Sequence, residues 1–499
     1  MNEEEYKQKM KASIDSIKKY AKVVLPSSSY FDDAIKSARA SNKKYTKQEI
    51  MSYLEAPAKN EEKLIQVVDY LVSISPQFQK LCNYLPNIAL IRPVVVPNTL
   101  KYKTNNTKKK KDFLEACSLV EKLNIENASI EILRDVFRYG VYFGVLIEGQ
   151  FSSYLKKLPI ERCKIIGKGE AGLVYAFDFS YFDGTNNYLL DYGGYPEAFK
   201  NLYTAYKNRT NKIGNLEYKW QPLIPSKELF PICVKYDISN TDYSTPPLIS
   251  VVGDIYDLDE YKSLNKAKTI RDNYSIIGIK IPTLNNGNVD DFAVSDDMVD
   301  ATTAQLDQEL PDYIGYAVFP GMDCNLMKAS SPTDTTVDTV ANATKNIFTS
   351  LGFADALFGL SNDTSASLKY STKVDEQELF PIYRQIESFF NYRLKIKYKE
   401  KMTLKILNLS WYNITDVLGY YKDQVSLGSP LLTILPVILG FSQLEAYNMA
   451  EANIDIWDVF NTWKAPLSSY NSTTEDVGAS TKKDEDVSEA GDRTRDNTE

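Results

Sequence analysis

The sequence predicts an α+β fold with several subdomains. Its 499 residues exceed the size at which a single hydrophobic core keeps growing. The proportions of hydrophobic residues (43%) and charged residues (25%) are those of an ordinary globular protein. Two short runs rich in β-branched and aromatic residues, Ile276–Ile281 and Tyr313–Phe319, predict strands. Helical hydrophobic spacing flanks them at residues 254–273 and 337–351, so helices and strands alternate within one stretch of chain.

Residues 1–250 are predicted to form an α+β region. The charged segment at residues 1–22 has the pattern of an amphipathic helix and lacks the apolar centre of a signal peptide. Helices are expected in the first 150 positions, and strands near residues 163–182 and 231–237. Lys108–Lys111 follow an Asn-Asn-Thr stretch and predict a solvated turn in a polar loop, with a contact to phosphate or to a partner as the alternative.

A glycine-rich stretch at residues 166–174 fits the pattern GxGxxGxV of kinase phosphate loops. A kinase would also need a lysine on the next strand and a DFG motif, and neither follows. A dinucleotide-binding fold would need a helix after the third glycine, but the alternation there is typical of a strand. The stretch therefore predicts a hairpin of Cys163–Ile166 with Leu173–Phe179, with Gly169 at positive φ. A nucleotide-binding enzyme that uses Gly167–Gly172 is the alternative.

Residues 254–273 predict a helix of about 30 Å. Acids cluster at its start and four cations lie towards its end, as the helix dipole favours. These cations are Lys262, Lys266, Lys268 and Arg271. After the strand Ile276–Ile281, Ser295 or Asp296 is predicted to cap a helix that reaches about Leu310.

The strand Tyr313–Phe319 is closed by a Pro-Gly turn, and a second amphipathic helix is predicted after it. Ser330 and Ser331 offer an N-cap, and Pro332 suits the first helical position. Gly352 is predicted to end this helix.

A polar stretch at residues 360–369 is predicted to be a loop that projects into solvent or into a cavity, because its small polar residues cannot pack a core. Its candidate functional residues are Ser361, Asn362, Asp363, Thr364, Ser365, Ser367 and Lys369. A long helix over Ser371–Lys399 follows, started or kinked by Pro381. One apolar stripe of that helix is expected to be buried: Leu379, Ile382, Ile386, Phe389, Phe390 and Leu394.

Residues 411–465 are predicted to be mainly helical. Helices are expected over Ile414–Leu427 and within Pro430–Trp463. The apolar stretch Pro430–Phe441 is too short for a membrane span and predicts a buried helix pair. Three tryptophans lack the basic neighbours of a nucleic-acid surface and are predicted to pack: Trp411, Trp457 and Trp463.

Composition argues against several kinds of active site. The chain has no histidine, which removes the commonest general base, His-containing triads and most zinc or iron sites. Five cysteines without CxxC spacing predict free thiols in a reducing compartment. Acidic doublets such as Asp296-Asp297 do not make a metal cage, because adjacent side chains point in different directions. We therefore predict no catalytic residue, no cofactor and no metal.

Charge is unevenly distributed along the chain. Residues 466–499 carry nine acids against four bases, which accounts for −5 of the formal net charge of −8. With few apolar residues, this segment predicts a disordered acidic tail. The body is left at −3, so the protein as a whole is not a basic nucleic-acid clamp.

The order of these elements resembles the portal, or head-tail connector, proteins of tailed bacteriophages. In that family a strand with a Pro-Gly turn leaves the clip, a stem helix follows, and a loop that lines the central tunnel precedes a long helix. The N-terminal half is similar as well, at Tyr53–Pro57, Asn60, Arg138–Gly144 and Leu158–Cys163. The resemblance covers roughly residues 30–465 and depends on the order of many weak motifs.

The resemblance implies a division of the chain into the parts of a portal. These parts are a wing (1–253 and 352–410, the second piece with the tunnel loop and long helix), stem helices (254–275 and 328–351), an α/β clip (276–327), a mainly helical crown (411–465) and the acidic tail (466–499).

The resemblance also implies a function. It predicts a non-enzymatic ring of about twelve subunits at one capsid vertex of the virion, assembled in the cytoplasm of a bacterial host. Such a ring nucleates procapsid assembly with the major capsid and scaffolding proteins, and it docks the large subunit of the terminase. It passes double-stranded DNA without sequence specificity and holds head-tail adaptor or tail proteins, with no membrane contact. A different virion component, such as a minor head protein, is the main alternative.

Overall fold

The computed structural model describes residues 3–25, 44–101, 106–240, 243–272, 275–282, 284, 292–311, 314–320, 327–328, 339–353 and 365–458. The chain has two compact units, Met1–Ser442 and Gln443–Glu499. The helices of the first unit are α1 (Glu3–Tyr20), α2 (Lys47–Glu55), α3 (Pro57–Ile74), α4 (Pro76–Ile88), α5 (Asn106–Leu123), α6 (Ile125–Tyr139), α7 (Leu189–Tyr192), α8 (Ala198–Lys207), α9 (Val252–Asp272), α10 (Asp296–Glu309), α11 (Thr339–Ser350), α12 (Ser365–Asp375), α13 (Phe380–Tyr398), α14 (Ile414–Ser426) and α15 (Leu435–Leu439). The second unit contains α16 (Gln443–Asp455).

All strands within the described residues belong to the first unit. They are β1 (Lys22–Val24), β2 (Ala89–Leu90), β3 (Pro93–Pro97), β4 (Val141–Glu148), β5 (Ser153–Lys157), β6 (Cys163–Gly169), β7 (Gly172–Asp178), β8 (Trp220–Leu223), β9 (Phe230–Lys235), β10 (Ser275–Ile281), β11 (Ile314–Pro320), β12 (Met327–Lys328), β13 (Met402–Ile406) and β14 (Leu409–Ser410). The prediction of mixed α and β structure is confirmed, as are the strands expected near residues 163–182 and 231–237.

Local sequence signals explain where several helices begin. Thr46 and Glu49 form a reciprocal capping box at the start of α2. The hydrogen bond from the Thr46 backbone holds the pKa of Glu49 below its usual value. Ser75 accepts a hydrogen bond from the Phe78 backbone at the start of α4, where proline occupies the first turn.

The largest hydrophobic core joins the N-terminal helices to two antiparallel sheets, ordered β5-β4-β9 and β6-β7-β8. Every residue of Val141–Leu146 in β4 is buried, which is typical of a strand covered on both faces. Helix α6 contacts β4, and α13 contacts β9. Aromatic rings fill the region beside β7, with centroids 5.4 to 6.3 Å apart, from Phe177, Phe179, Phe182 and Phe199.

The glycine-rich stretch forms the predicted hairpin. Strand β6 pairs with β7, and Gly169 lies opposite Gly172 at the tip. The prediction of positive φ at Gly169 is wrong, because the register places the left-handed residue at Gly172, with φ 121°.

A second, four-stranded sheet has the order β1-β11-β10-β12. Strands β10 and β11 are parallel and joined by α10, as the crossover requires. Its core contains Ile281, Val299, Tyr316 and Val318. The predicted strand, helix and strand are confirmed, with Ser295 at the N-cap of α10.

The N-terminal segment joins this sheet, which no sequence pattern indicates. Strand β1 pairs antiparallel with β11, so that Val23 lies opposite Ala317. Lys22 forms an ion pair with Asp300 of α10. The Tyr20 ring lies 4.5 Å from the Phe292 ring, centroid to centroid, and both rings pack against the core of this sheet. Residues 3–25 therefore pack with the part of the chain assigned to the clip, although the sequence division places them in the wing.

The long helix returns the chain to its N-terminal half. The predicted helix Ser371–Lys399 is divided, because its first residues lie in α12 and α13 begins at Phe380. Pro381 lies in the first turn of α13, as predicted, and the predicted apolar stripe is buried. Strand β13 pairs with β3, and β14 pairs with β2. The Tyr383 hydroxyl accepts a hydrogen bond from the Leu90 backbone (3.1 Å) and donates one to the Leu409 carbonyl (3.0 Å). This contact fixes three segments that are distant in sequence.

Several predictions about local structure need correction. Lys108–Lys111 lie in the first turns of α5 and not in a loop. Lys328 lies in β12, whereas the second stem helix was expected to include it, and the predicted N-cap at residues 330–332 lies outside the described residues. The described helix α11 ends at Ser350, and Gly352 has φ 77°, as expected of a glycine that ends a helix.

The C-terminal helices bury less apolar surface than expected. Trp411 is 61% exposed and Trp457 is 60% exposed, so the prediction that they pack is wrong for the single chain, while Trp463 lies outside the described residues. In Pro430–Phe441, α15 buries Val437 and Ile438, whereas Leu432 and Leu439 are exposed. Across the described ranges, no helix combines the length and apolar character needed to cross a membrane.

Candidate functional site

Helices α9 and α11 pack against each other and carry the chain out of the main core and back. Ile255 and Leu258 of α9 are buried in the main core together with Ile347 and Phe348 of α11. The Ser350 hydroxyl, at the end of α11, lies 3.0 Å from a carboxylate oxygen of Asp254, at the start of α9. Because the end of one helix meets the start of the other, the two helices run antiparallel.

The unit of β10, α10 and β11 lies between these two helices in the chain. Its strands are parallel, and α10 covers them. The Tyr316 hydroxyl donates to Asp307 at 2.7 Å, and burial, together with this hydrogen bond, raises the pKa of Tyr316 to about 12. The chain thus leaves along one helix, forms a small α/β unit and returns along the other helix.

The predicted stem cations lie on α9. The Lys262 side chain is exposed, and the side chains of Lys266, Lys268 and Arg271 lie outside the described part of the structure. The helical spacing places Lys262 and Lys266 one turn apart, on the same face of α9.

The structure describes only part of the predicted tunnel loop. Ser361, Asn362, Asp363 and Thr364 lie outside the described residues. Ser365, Ser367 and Lys369 lie in α12, so the predicted loop is wrong for these three residues. Small hydroxyl residues are compatible with a helix when the rest of the helix is anchored by its neighbours. Such anchors exist at the C-terminal end of α12.

The anchors at both ends of the segment between α11 and α13 meet at Tyr84. The rings of Tyr84 and Phe353 are 5.1 Å apart, just after α11 ends. The Tyr84 hydroxyl donates to Asp375 at 2.7 Å, where α12 ends, and lies 3.3 Å from the Tyr412 hydroxyl. Burial, together with the bonds to these two groups, raises the pKa of Tyr84 well above its usual value. Asp375 is itself buried.

A second anchor joins α12 to α14. Lys369 lies 3.0 Å from Asp416, and Lys373 lies 3.3 Å from the other oxygen of the same carboxylate. These two lysines hold the pKa of Asp416 below its usual value. Lys369 is therefore engaged by an acid of its own chain, which weakens its predicted role as a cation for DNA.

Sequence reasoning did not identify Tyr84, Asp375 or Asp416 as functional residues. Each is an ordinary polar residue in a helical pattern, and its partners lie from 43 positions away (Lys373 to Asp416) to 328 positions away (Tyr84 to Tyr412). The spacing of Lys369 and Lys373, one helical turn apart, is the signal that a single acid could bridge them.

The glycine hairpin carries no further feature of a phosphate loop. Lys168 at its tip lines an open cavity of about 310 Å³ with Arg384 and Pro381 of α13. Within the described residues, no group of three or more metal-binding side chains occurs. Cys82, Cys117, Cys163 and Cys233 are free thiols. Burial raises the pKa of Cys82 to about 12, as expected for an unreactive structural thiol.

Comparisons with protein-family models and with curated proteins give no match. Among solved structures, the chain is similar to chains of gene transfer agent particles. For the neck of an empty particle computed with C6 symmetry, the identity is 9% over 76% of this chain and 93% of the other, with a TM-score of 0.40. For the virion of a native particle the values are 10%, 76%, 93% and 0.36, and for the neck of a native particle computed with C12 symmetry they are 10%, 74%, 94% and 0.39. Because these TM-scores are below 0.5, we take the proposed function from the topology of the chain itself.

Proposed function

We propose that this protein is a portal, or head-tail connector, of a tailed-phage-like particle. The observation that carries the proposal is the antiparallel helix pair α9 and α11, with the α/β unit of β10, α10 and β11 between the two helices in the chain. A portal subunit has this arrangement as its stem and clip. The buried long helix α13, which follows a polar segment, agrees with the same order.

The proposed assembly is a ring of about twelve copies. The ring sits at one capsid vertex of the virion, where it nucleates procapsid assembly with the major capsid and scaffolding proteins. It docks the large terminase subunit, passes double-stranded DNA and holds adaptor or tail proteins. The protein acts without catalysis, cofactor or metal.

Exposed apolar residues of the C-terminal helices support assembly. Tyr420 and Leu427 of the first unit are exposed, as are Leu432 and Leu439. Where such side chains form a contiguous patch, they are typical of a surface that another protein covers. In a ring, one heterologous contact repeated with closure covers such surfaces in every copy.

For residues 361–364, which lie outside the described residues, we keep the predicted tunnel loop. In the ring, their small polar side chains would make transient hydrogen bonds to DNA phosphates without reading bases.

The native mass of the purified protein tests the proposal. Twelve copies of a 56.6 kDa chain give about 680 kDa. A folded monomer would support the alternative of a minor head protein or another virion component.

A further inference from the structure

A lysine-rich surface lies where β3, α5 and the C-terminal end of α13 meet. We call it the lysine surface and define it by eight lysines and three acids. The lysines are Lys101, Lys108, Lys109, Lys110, Lys111, Lys395, Lys399 and Lys401, and the acids are Asp112, Glu115 and Glu400.

Contacts between elements bring these residues together. Lys101 lies 3.1 Å from Glu400, and Lys401 lies 3.8 Å from Asp112 of α5. The Asn98 backbone donates to the Lys401 carbonyl at 2.8 Å, which joins the end of β3 to the start of β13. Lys101, and to a smaller extent Lys395, hold the pKa of Glu400 below its usual value.

The lysine surface is exposed and strongly positive in an acidic chain. Eight lysines against three acids give it a net charge of +5, whereas the whole chain has −8. Lys108, Lys110 and Lys111 are exposed, and so are Lys395 and Lys399. Lys108–Lys111 lie in the first turns of α5, where the helix dipole disfavours positive charge. An anion bound there would reduce the repulsion between the lysines and also their unfavourable interaction with the helix dipole.

The residue types indicate what kind of anion fits. Lysines are point charges on flexible stems, which suits contacts to phosphates without base recognition. Proteins that bind single strands also need aromatic rings on which bases stack. Tyr398, the aromatic residue next to Asp112 and Glu115, is only 8% exposed. In residues 106–115 and 391–405 no aromatic side chain is exposed, so the surface offers charge without stacking.

We propose that the lysine surface binds the phosphate backbone of duplex DNA. The location comes from the structure, and the choice of duplex DNA also rests on the proposed function, in which duplex DNA is the partner. The contact is independent of sequence and short in range, because the negative body of the protein does not attract DNA from a distance.

Fluorescence anisotropy with a labelled duplex of about 30 base pairs tests the proposal on the full chain. Four to five phosphate contacts predict a loss of affinity of about 10²-fold between about 50 and about 200 mM salt. Combined Lys108→Gln, Lys109→Gln, Lys110→Gln and Lys111→Gln substitutions should weaken binding and reduce the slope of log affinity against log salt by about 3 to 4.

The matched control removes the same charge elsewhere. Lys7→Gln, Lys9→Gln, Lys11→Gln and Lys18→Gln alter four exposed lysines of α1 and should leave DNA binding unchanged. If the variant in α5 does not fold, Lys395→Gln with Lys399→Gln tests the same surface from α13 and should reduce the slope by about 2.

Four results would overturn the proposal. One is equal loss of binding in the α1 control. The second is tighter binding of a single strand than of the duplex. The third is displacement of the duplex by an acidic peptide at equal charge. The fourth is no binding at low salt. The native mass of the same sample separates this inference from the proposed function, because a ring that does not bind duplex refutes only the DNA contact. A monomer that binds through these lysines refutes only the ring.

Discussion

At the tip of the hairpin of β6 and β7, one backbone angle determines which position requires glycine. Gly172 has φ 121°, a backbone angle that residues with a side chain rarely adopt. Gly167 and Gly169 do not have positive φ. The glycine pattern predicts the hairpin but not which glycine is left-handed, because that depends on the bulge between Ile165 and Gly167. Register is set by contacts along both strands, which the tip sequence alone does not contain.

We therefore expect Gly172→Ala to reduce the free energy of unfolding by about 1 to 3 kcal/mol through backbone strain. Gly167→Ala is the matched control, because an added methyl group there meets no atom within 4 Å, and it should have little effect. Urea unfolding of both variants measures the difference. Equal stability of the two variants would contradict the assigned register.

A residue-scale ion pair joins β4 to α13. Arg393 contacts both carboxylate oxygens of Glu148, at 2.5 and 2.9 Å, and both side chains are mostly buried. The hydrogen bond from Arg393 holds the pKa of Glu148 below its usual value. Since the folded-state pKa is lowered, the stabilisation is present above the unfolded pKa and is lost as pH falls through the folded pKa.

Glu148→Gln should reduce the free energy of unfolding by about 1 to 3 kcal/mol at neutral pH. The difference from the unchanged chain should shrink as pH falls below the usual pKa of a glutamate, about 4, and should disappear only below the lowered folded-state pKa, where Glu148 is protonated in both states. Denaturant unfolding across pH gives this difference. A gap that stays constant down to the lowest pH would show that the ion pair does not cause it.

At the scale of elements, amphipathic helices and long strands were predictable, and short strands were not. Helix α9, strands β10 and β11 and helix α13 follow from hydrophobic spacing within their own sequence. Strands β1, β2, β12 and β14 have two or three residues each, too few for a pattern. Their positions are decided by partners far away in the chain, as in the pairing of Val23 with Ala317. The same reason explains why the anchors of α12 were missed.

Tyr84 is expected to hold α12 in place. Tyr84→Phe keeps the ring contact with Phe353 and removes the hydrogen bond to the buried Asp375. The loss should be about 1 to 2 kcal/mol and should appear as faster amide exchange within Ser365–Asp375. Hydrogen exchange with mass spectrometry reads this out.

The exposed Tyr420 supplies the control for this measurement. Tyr420→Phe should leave exchange in α12 unchanged. If both variants exchange alike in α12, the hydroxyl of Tyr84 is not an anchor of that helix.

At the scale of the whole molecule, charge separates the tail from the body. Removing residues 470–499 takes away nine acids and four bases, a net change of five charges, without removing a residue that the structure places in a core. Assembly should survive the truncation. Light scattering of the truncated and full chains compares the two masses, and a truncated chain that stays monomeric while the full chain assembles would place the tail in the subunit interface.

The proposed ring is a property of the assembled protein and not of a single chain. No feature of one chain requires a number of copies, so the sequence and the single-chain fold predict assembly only through exposed apolar surface and through the order of elements. Negative-stain end views of the purified protein are the decisive measurement for the ring. We expect closed rings of about twelve subunits around a central hole. Compact particles of single-chain size, with no ring at any protein concentration, would contradict it.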